Sequence, residues 1–442
     1  MNVLAVFLEG SGKLEKPLQP RKNGISMSRV LSISLTQPLM MWFFMGLCVV
    51  SLLMIVYAAW RPWRVKGVVI TLVAIMVGAF AAKIIVEKLW RPFPDSIPIS
   101  IYFAVALTVI ALFATMFIRR RILLFIALCL SLVGSAGVAN LTYQLYPDLR
   151  SLVPVEVARE MSYSEFAHVS KAPTAQGREI GAKVTFSLVG EKSSFPARDA
   201  IAYIPPSYWT KQADSLPVLV LMAGSPGSPS DWFESARVDT VADEYQRTHD
   251  GKSPIVISVD ATATLGGDPL CVDGPEFKVM TYLTQDVPTG IKNAFKVNSD
   301  QSQWTIGGLS YGGTCSFQVI TNHPSAYGHF LDFSGQDELV SGTHEQTLAK
   351  FFGGDQKRYD DSNPAAILKK YSDGNGFGSI SGVFVAGSQD AESQKGLKRL
   401  NDLAQHAGMH TQYLEVPGGH DFGTWREAIR ATFALSAQYG GL

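Results

Sequence analysis

Four long apolar stretches in the first third of the chain restrict its fold more than any other feature. They cover residues 39–60, 65–86, 98–118 and 122–143 of the 442-residue sequence. Each is close to the ~20 residues that cross a bilayer as a helix. Core helices of a soluble protein are a poor alternative, because four such stretches follow one another with only short charged breaks, and a cleaved signal peptide would be shorter and single. The sequence therefore predicts four transmembrane helices, with the lipid bilayer as a partner.

Basic residues beside the predicted spans bear on orientation. Three of them lie at 61–66 after the first span, and three more lie at 119–121 after the third. Basic loops favour the cytoplasmic side, which places everything after residue 143 outside. The basic residues at 21–29 point the other way. We expect a multi-pass protein of the cell membrane with an extracytoplasmic C-terminal half, although the count leaves the opposite orientation open.

The rest of the chain divides into a tail, a linker and a second domain. Residues 1–38 lack periodicity and predict a flexible tail, and the proline-containing segment 144–180 predicts a linker. From residue 181 to 442, short β-rich runs alternate with helical patterns. The continuous apolar runs at 217–222 and 254–259 are typical of strands covered on both faces. This alternation predicts an α/β fold, a mostly parallel sheet with helices on both faces.

Charge and cysteine content indicate which partners to expect. The 38 basic and 38 acidic residues cancel, and no basic run contains interleaved aromatic residues, so nothing indicates nucleic acid as a partner. No cluster of cysteine and histidine has the spacing of metal ligands, so neither a metal nor an organic cofactor is predicted. Cys271 and Cys315 are the only cysteines after the spans. They allow a disulfide if that half is exported, and two free buried thiols are the alternative.

A serine in a glycine-flanked pentapeptide is the first candidate for chemistry. The sequence Gly308-Leu309-Ser310-Tyr311-Gly312 follows the β-prone run 303–307 and precedes a segment that can open a helix, 313–320. A strand that enters G-x-S-x-G and leaves as a helix is the context of a nucleophile elbow, in which a strained turn exposes the serine hydroxyl. Ser310 is therefore the predicted nucleophile, and an ordinary glycine-rich turn is the alternative.

A serine hydroxyl needs a base, and the base needs an acid that orients it. His420 lies in a glycine-rich loop after the predicted last strand, and Asp390 follows the strand before it. The order Ser, Asp, His is that of α/β-hydrolases. Asp390 could instead only cap the helix that follows, and Glu392 is the second candidate for the acid.

An oxyanion formed at the serine needs two backbone N–H donors. One is expected from Tyr311, which follows the predicted nucleophile. The other is expected from the loop after the 217–222 strand, Ala223-Gly224-Ser225-Pro226. Pro226 has no N–H, which leaves Ser225 or Gly224, and Ser225 is preferred. An ordinary Gly/Ser/Pro loop is the alternative here.

Four segments together resemble the esterase D family of α/β-hydrolases, namely 223–226, 308–312, 387–390 and 418–421. That family includes S-formylglutathione hydrolases, feruloyl and siderophore esterases, and the mycolyltransferases of actinobacterial envelopes. The resemblance covers residues 181–442 and implies an α/β-hydrolase fold with a Ser-His-Asp triad. Mycolyltransferases carry Asp-Gly-x-Arg at the first segment, where this chain has Ala-Gly-Ser-Pro. This departure argues against transfer to trehalose.

Together these patterns predict a membrane-tethered serine esterase that hydrolyses carboxylic esters through an acyl-enzyme. Acyl or aminoacyl esters of lipids, or envelope glycolipids, are the expected substrates. One alternative is an acyltransferase that passes the acyl group to an envelope alcohol. Another is a non-catalytic sensor or scaffold, which would not need a serine, a base and an acid together. A transporter is a third, and the few charges within the spans argue against it.

Overall fold

The computed structural model describes residues 31–90, 97–152, 156–371, 374 and 376–442. Most of the tail predicted over residues 1–38 lies outside these residues. The helices, in chain order, are α1 (Pro38–Ile84), α2 (Ile99–Phe117), α3 (Arg121–Tyr143), α4 (Tyr163–Phe166), α5 (Asp231–Glu234), α6 (Val238–Gln246), α7 (Val279–Thr281), α8 (Val287–Ala294), α9 (Tyr311–Asn322), α10 (His344–Phe352), α11 (Gln356–Ser362), α12 (Pro364–Lys370), α13 (Ala391–His406) and α14 (Phe422–Tyr439). The strands are β1 (Ala158–Ser162), β2 (Thr174–Ala175), β3 (Arg178–Glu179), β4 (Gly181–Phe186), β5 (Ala200–Ile204), β6 (Val218–Met222), β7 (Ile255–Val259), β8 (Thr305–Leu309), β9 (His329–Phe333), β10 (Ser381–Gly387) and β11 (His410–Val416).

The N-terminal helices contain four segments that are long and apolar enough to cross a membrane, among the residues that the structure describes. They are Pro38–Ala58, Val69–Leu89, Ile99–Phe117 and Arg121–Tyr143. The first two lie in one helical element, α1, which is continued by a π-helical turn at Ile85–Trp90. The predicted spans 39–60 and 65–86 leave a break at residues 61–64, where Pro62 disfavours a helix interior, but the helix runs continuously through this segment.

Both parts of α1 pack against the α2–α3 pair. Close packing with α3 is possible because Gly134 and Gly137 lack side chains; a Cβ on Gly137 would meet the ring of Phe44 at 2.1 Å. Phe80 stacks edge to face on Phe103 of α2, with ring centroids 6.0 Å apart. Small residues at helix contacts, with apolar residues exposed outside, are typical of helices that associate in lipid. These features indicate membrane association.

The C-terminal part forms a nine-stranded sheet in the order β1-β4-β5-β7-β6-β8-β9-β10-β11. All neighbouring strands are parallel except β5, which is antiparallel to both β4 and β7. The predicted mostly parallel sheet with helices on both faces is confirmed. The sheet also extends into the segment 144–180 that was predicted as a linker, because β1 pairs with β4. β1 is an edge strand with mostly exposed residues, so its sequence lacks an apolar pattern.

Two hydrophobic layers cover the two faces of this sheet. Val218, Val220 and Met222 belong to one core, and the alternate residues Leu219 and Leu221 belong to the other. Helices α9 and α13 contribute to the first core, and α6 and α14 contribute to the second. Every residue of β6, β7 and β8 is buried, which explains their continuous apolar sequences. The carboxyl ends of these parallel strands meet at one edge, where the loops that carry the site residues lie.

Candidate active site

Ser310 lies on a sharp turn between β8 and α9. Its backbone has φ 53° and ψ −118°, a strained conformation for a residue with a side chain. The flanking glycines permit this turn. A Cβ on Gly312 would lie 2.2 Å from the carbonyl oxygen of Met222, and a Cβ on Gly308 would lie 2.2 Å from the backbone of Gly312. The G-x-S-x-G pattern is therefore required by backbone packing at the elbow.

His420 faces the serine from the loop between β11 and α14. Its Nε2 lies 2.9 Å from Ser310 Oγ, and its Nδ1 lies 2.8 Å from Asp390 Oδ2. The ring packs edge to face against Trp425, with centroids 5.2 Å apart. The loop itself is fixed by Asp421, which accepts hydrogen bonds from the amides of Gly419 at 3.1 Å and Thr424 at 3.0 Å. The structure thus brings Ser310, His420 and Asp390 together in one chain of contacts.

The two carboxyl oxygens of Asp390 make different contacts, one with His420 and one with the start of α13. The sequence had left these two functions as alternatives. Oδ2 faces His420, while Oδ1 caps α13 by accepting from the amide of Ser393 at 3.2 Å. Burial alone would raise the pKa of Asp390, but the hydrogen bond and electrostatic interaction with His420, together with the bonds from Ser393, bring this pKa below its ordinary value. Glu392, the second candidate for the acid, is exposed on α13.

The loop after β6 passes directly beside the serine. A Cβ on Gly224 would lie 3.4 Å from Ser310 Cβ, so this loop lies in van der Waals contact with the elbow. Ser225 is buried, and its hydroxyl donates to the carbonyl of Gly267 at 2.8 Å. Tyr311 starts α9, where the first-turn N–H groups have no partner within the helix. Both predicted oxyanion donors, Ser225 and Tyr311, therefore belong to segments adjacent to Ser310.

Arg198, a residue that the sequence reasoning missed, holds the loop after β6 in place. Its guanidinium donates to the Gly227 carbonyl at 3.0 Å and to both oxygens of Asp260 at 2.7 and 3.0 Å. Asp260 is buried; burial raises the pKa of its carboxyl, but the bonds from Arg198 and from the Thr262 amide lower this pKa overall. Arg198 lies before β5 and Asp260 follows β7, so their pairing depends on the order of strands in the sheet.

A disulfide joins the wall of the site to the helix that follows the serine. Cys271 and Cys315 are bonded to each other, with their Cα atoms 5.3 Å apart. Cys315 lies in the second turn of α9, and Cys271 lies in the loop between β7 and α7. Both line a cavity of about 20 Å³ beside Ser310. Within the described residues, no three His, Cys, Asp or Glu side chains are grouped so that they could hold a metal ion.

Comparisons with known proteins agree with this architecture. The family model described as "Esterase: Putative esterase" matches residues 197–435, more than half of the chain. An uncharacterized protein of Corynebacterium glutamicum is 48% identical over 388 residues, covering 86% of this chain and 90% of that protein. The chain therefore belongs to a family of sequences that extends beyond the esterase domain into the apolar helices.

A solved structure shows the same fold at low identity. The S-formylglutathione hydrolase of Agrobacterium tumefaciens is similar with a TM-score of 0.50 and 18% identity, covering 61% of this chain and 98% of that one. A ferulic acid esterase is also 18% identical, with a TM-score of 0.49. The match covers 59% of this chain and 99% of the ferulic acid esterase chain. The fold is that of an α/β-hydrolase. By the family match, this chain belongs to the putative esterase family, with its hydrolase domain placed after four apolar helical segments of membrane-spanning length.

Proposed function

We propose that this protein is a membrane-tethered serine esterase that hydrolyses carboxylic esters through an acyl-enzyme on Ser310. The observation that carries the proposal is the continuous chain of contacts from Asp390 Oδ2 through His420 to Ser310 Oγ, with distances of 2.8 and 2.9 Å. Side chains separated by 110 and 30 residues in sequence meet here. This is the arrangement that makes an alcohol oxygen nucleophilic.

The proposed reaction begins when Ser310 Oγ attacks the ester carbonyl while His420 Nε2 accepts the hydroxyl proton. Asp390 stabilises the imidazolium that forms and keeps Nδ1–H directed toward itself. His420 then donates the proton to the leaving alcohol oxygen, which leaves an acyl group on Ser310. Water, deprotonated by the same imidazole, attacks the acyl carbonyl. The bond from the acyl carbon to Ser310 Oγ then breaks, His420 returns the proton to Oγ, and the carboxylic acid is released. In both steps the Tyr311 and Ser225 amides are proposed to hold the carbonyl oxygen as its negative charge develops.

Contacts between α3 and the His420 loop support a substrate at the membrane surface. Gln144, which caps the C-terminus of α3, donates from its side-chain amide to Asp421 Oδ2 at 3.4 Å. Arg426 on α14 donates to the Gln144 carbonyl at 2.8 Å. The last apolar helix thus ends next to the residue that follows the proposed base. Acyl or aminoacyl esters of lipids, or envelope glycolipids, are the substrates that this placement favours.

The disulfide supports an extracytoplasmic hydrolase domain. Disulfides persist in oxidising compartments and are rare in the cytoplasm. The Cys271–Cys315 bond lies in the wall of the site, so it would be part of the working enzyme. An outward-facing domain also agrees with the basic residues at 61–66 and 119–121 facing the cytoplasm.

The test uses purified full-length protein with p-nitrophenyl butyrate as the ester. We expect Ser310→Ala to lower kcat by at least about 1,000-fold, since removal of a triad nucleophile removes the covalent route. Ser302→Ala is the matched control, because Ser302 is an exposed serine before β8, and it should retain full activity. Labelling with a fluorophosphonate probe should follow the same pattern. Equal hydrolysis by wild type and Ser310→Ala would contradict the proposal.

A further inference from the structure

The loop that follows β7, residues 260–271, contacts both residues whose amides are proposed to hold the oxyanion. We call this segment the β7 loop. The Tyr311 hydroxyl donates to the Ala261 carbonyl at 2.9 Å, and the Ser225 hydroxyl donates to the Gly267 carbonyl at 2.8 Å. Each of the two proposed oxyanion donors is therefore tied, through its own side chain, to the same loop.

The order of strands explains why one loop can hold both residues. β6 lies between β7 and β8 in the sheet, so the loop after β6, which carries Ser225, lies between the β7 loop and the elbow after β8. Strands two positions apart in a sheet are separated by about 10 Å. The Tyr311 side chain bridges this gap from the elbow to the β7 loop. The loop after β6 is thus flanked by two segments that the Tyr311 side chain joins.

The β7 loop is itself fixed at both ends. At its start, Asp260 is paired with Arg198 at 2.7 Å, and the same guanidinium donates to the Gly227 carbonyl of the loop after β6 at 3.0 Å. At its end, the disulfide between Cys271 and Cys315 joins it to α9. A loop that is held at both ends offers acceptors in fixed positions to the two hydroxyl groups.

The amides of Ser225 and Tyr311 are themselves available to a substrate. No turn or loop carbonyl accepts from either amide within the described part of the chain, and the first N–H groups of a helix have no partner inside it. The Tyr311 hydroxyl stays a neutral donor, because burial, and to a smaller extent the carboxyls of Asp268 and Asp260, raise its pKa well above the ordinary value. Its bond to the β7 loop therefore persists across the working pH range.

We propose that the hydroxyl groups of Tyr311 and Ser225 are positioning groups, which set the direction of the two oxyanion amides by anchoring both residues to the β7 loop. The inference rests on the proposed esterase function and assigns these side chains a part in it. An oxyanion hole is effective because its donors are in place before negative charge develops. Removal of a hydroxyl group keeps the amide but releases it from this geometry. The effect should therefore appear in the transition state and not in substrate binding.

The experiment needs control variants that lose the same kind of bond away from the site. Tyr327 donates from its buried hydroxyl to the Leu283 carbonyl at 2.8 Å, and it precedes β9, at the end of the sheet opposite the elbow. Ser436 is buried near the end of α14 and donates to the Phe433 carbonyl at 2.7 Å. Tyr327→Phe and Ser436→Ala are therefore the matched controls for the tyrosine and the serine.

Full-length Tyr311→Phe and Ser225→Ala are assayed with p-nitrophenyl butyrate and with hexyl trifluoromethyl ketone, an inhibitor that becomes an oxyanion when a serine adds to it. We expect each variant to lower kcat about 10-fold with KM nearly unchanged, since complete loss of an oxyanion donor costs roughly 100- to 1,000-fold and a displaced donor keeps part of its effect. The inhibition constant of the ketone should rise by a similar factor. The two controls should lower the melting temperature to a similar extent and leave kcat and the inhibition constant at wild-type values.

The outcomes distinguish the positioning role from the esterase proposal. Wild-type kcat in either Tyr311→Phe or Ser225→Ala would overturn the role of that hydroxyl group and leave the esterase proposal standing. A rise in KM in place of a fall in kcat, or an unchanged inhibition constant, would do the same, because the hydroxyl group would then act on substrate binding or on folding alone. If one variant does not fold, the other decides; if neither folds, the hydroxyl groups serve the fold and the proposal fails. Wild type that neither hydrolyses the ester nor reacts with a fluorophosphonate would remove both proposals.

Discussion

Asp390→Asn separates the two contacts of this carboxyl group. Asparagine keeps an oxygen that can cap α13 through the Ser393 amide, so the helix start should survive. It removes the negative charge that faces His420 Nδ1 at 2.8 Å. We therefore expect a large loss of kcat/KM with p-nitrophenyl butyrate and a change in unfolding free energy of less than about 1 kcal/mol.

The size of the activity loss can be worked from the contact. Two unit charges with centres ~4 Å apart interact by about 4 kcal/mol at an effective dielectric constant of 20. This energy corresponds to roughly 1,000-fold in rate, because 1.36 kcal/mol is tenfold. Asp390 is 8% exposed, but the His420 side chain is 31% exposed, so solvent screens part of the interaction. We expect kcat/KM to fall about 100- to 1,000-fold.

Three control variants make the result specific. Asp390→Ala loses both contacts and should also cost about 1 kcal/mol in unfolding free energy. Asp355→Ala removes the corresponding cap of α11, where Asp355 accepts from the Arg358 amide at 3.1 Å, and should lower stability without lowering activity. Glu392→Gln should change neither quantity. Wild-type kcat/KM in Asp390→Asn, or a loss in Glu392→Gln instead, would refute this assignment of the acid.

The same carboxyl predicts a pH dependence of stability. The pKa of Asp390 is lower in the folded protein than its ordinary value, so ionised Asp390 stabilises the fold above the unfolded-state pKa of about 3.9. This contribution is lost as the pH falls through the folded-state pKa. Thermal unfolding of wild type and Asp390→Asn should therefore differ most above pH ~5, and the difference should shrink below pH ~4 and disappear only below the folded-state pKa. A difference that grows as the pH is lowered would contradict the sign.

Two further predictions concern the scaffold of the site. Gly312→Ala places a Cβ 2.2 Å from the Met222 carbonyl oxygen, so it should destabilise the protein by more than about 3 kcal/mol or abolish fluorophosphonate labelling; Gly378→Ala, where a Cβ meets nothing within 4 Å, should be neutral in both assays. Cys271→Ser removes the disulfide to Cys315, which closes a loop with a sequence separation of 44. From the loss of chain entropy in the unfolded state, this disulfide should stabilise the fold by about 4 kcal/mol. The melting temperature of the variant should fall, and reductant should lower that of wild type but not that of the variant.

The parts of the site that sequence reasoning placed are those with local signals. Ser310 is marked by glycines within two residues, and the structure shows why each glycine is needed. Asp390 follows a strand with a continuous buried apolar run, and His420 lies in a glycine-rich loop after the next strand. Parallel strands bring their carboxyl ends to one edge. The role of each residue in catalysis remains a prediction until the variants are measured.

The parts that escaped prediction depend on distant contacts. Arg198 and Asp260 meet only because β5 and β7 are neighbours in the sheet. The strand β1 was missed because an edge strand with mostly exposed residues has no periodic apolar signal. Apolar length identified the membrane segments, but it carried no information about where one helix ends and the next begins.

Contacts between the end of α3 and the His420 loop fix how the apolar helices lie relative to the hydrolase domain. Arg426 is buried, and desolvation lowers its pKa to about 10, although its charge is kept by carbonyl partners at Gln144 and Ser235, both 2.8 Å away. A buried guanidinium is costly unless its donors are used, so these bonds fix the end of α3 against α14. In the proposed reaction the leaving alcohol then lies on the membrane side of Ser310, next to His420. An enzyme with this arrangement would cleave an ester whose alcohol part stays at the bilayer surface.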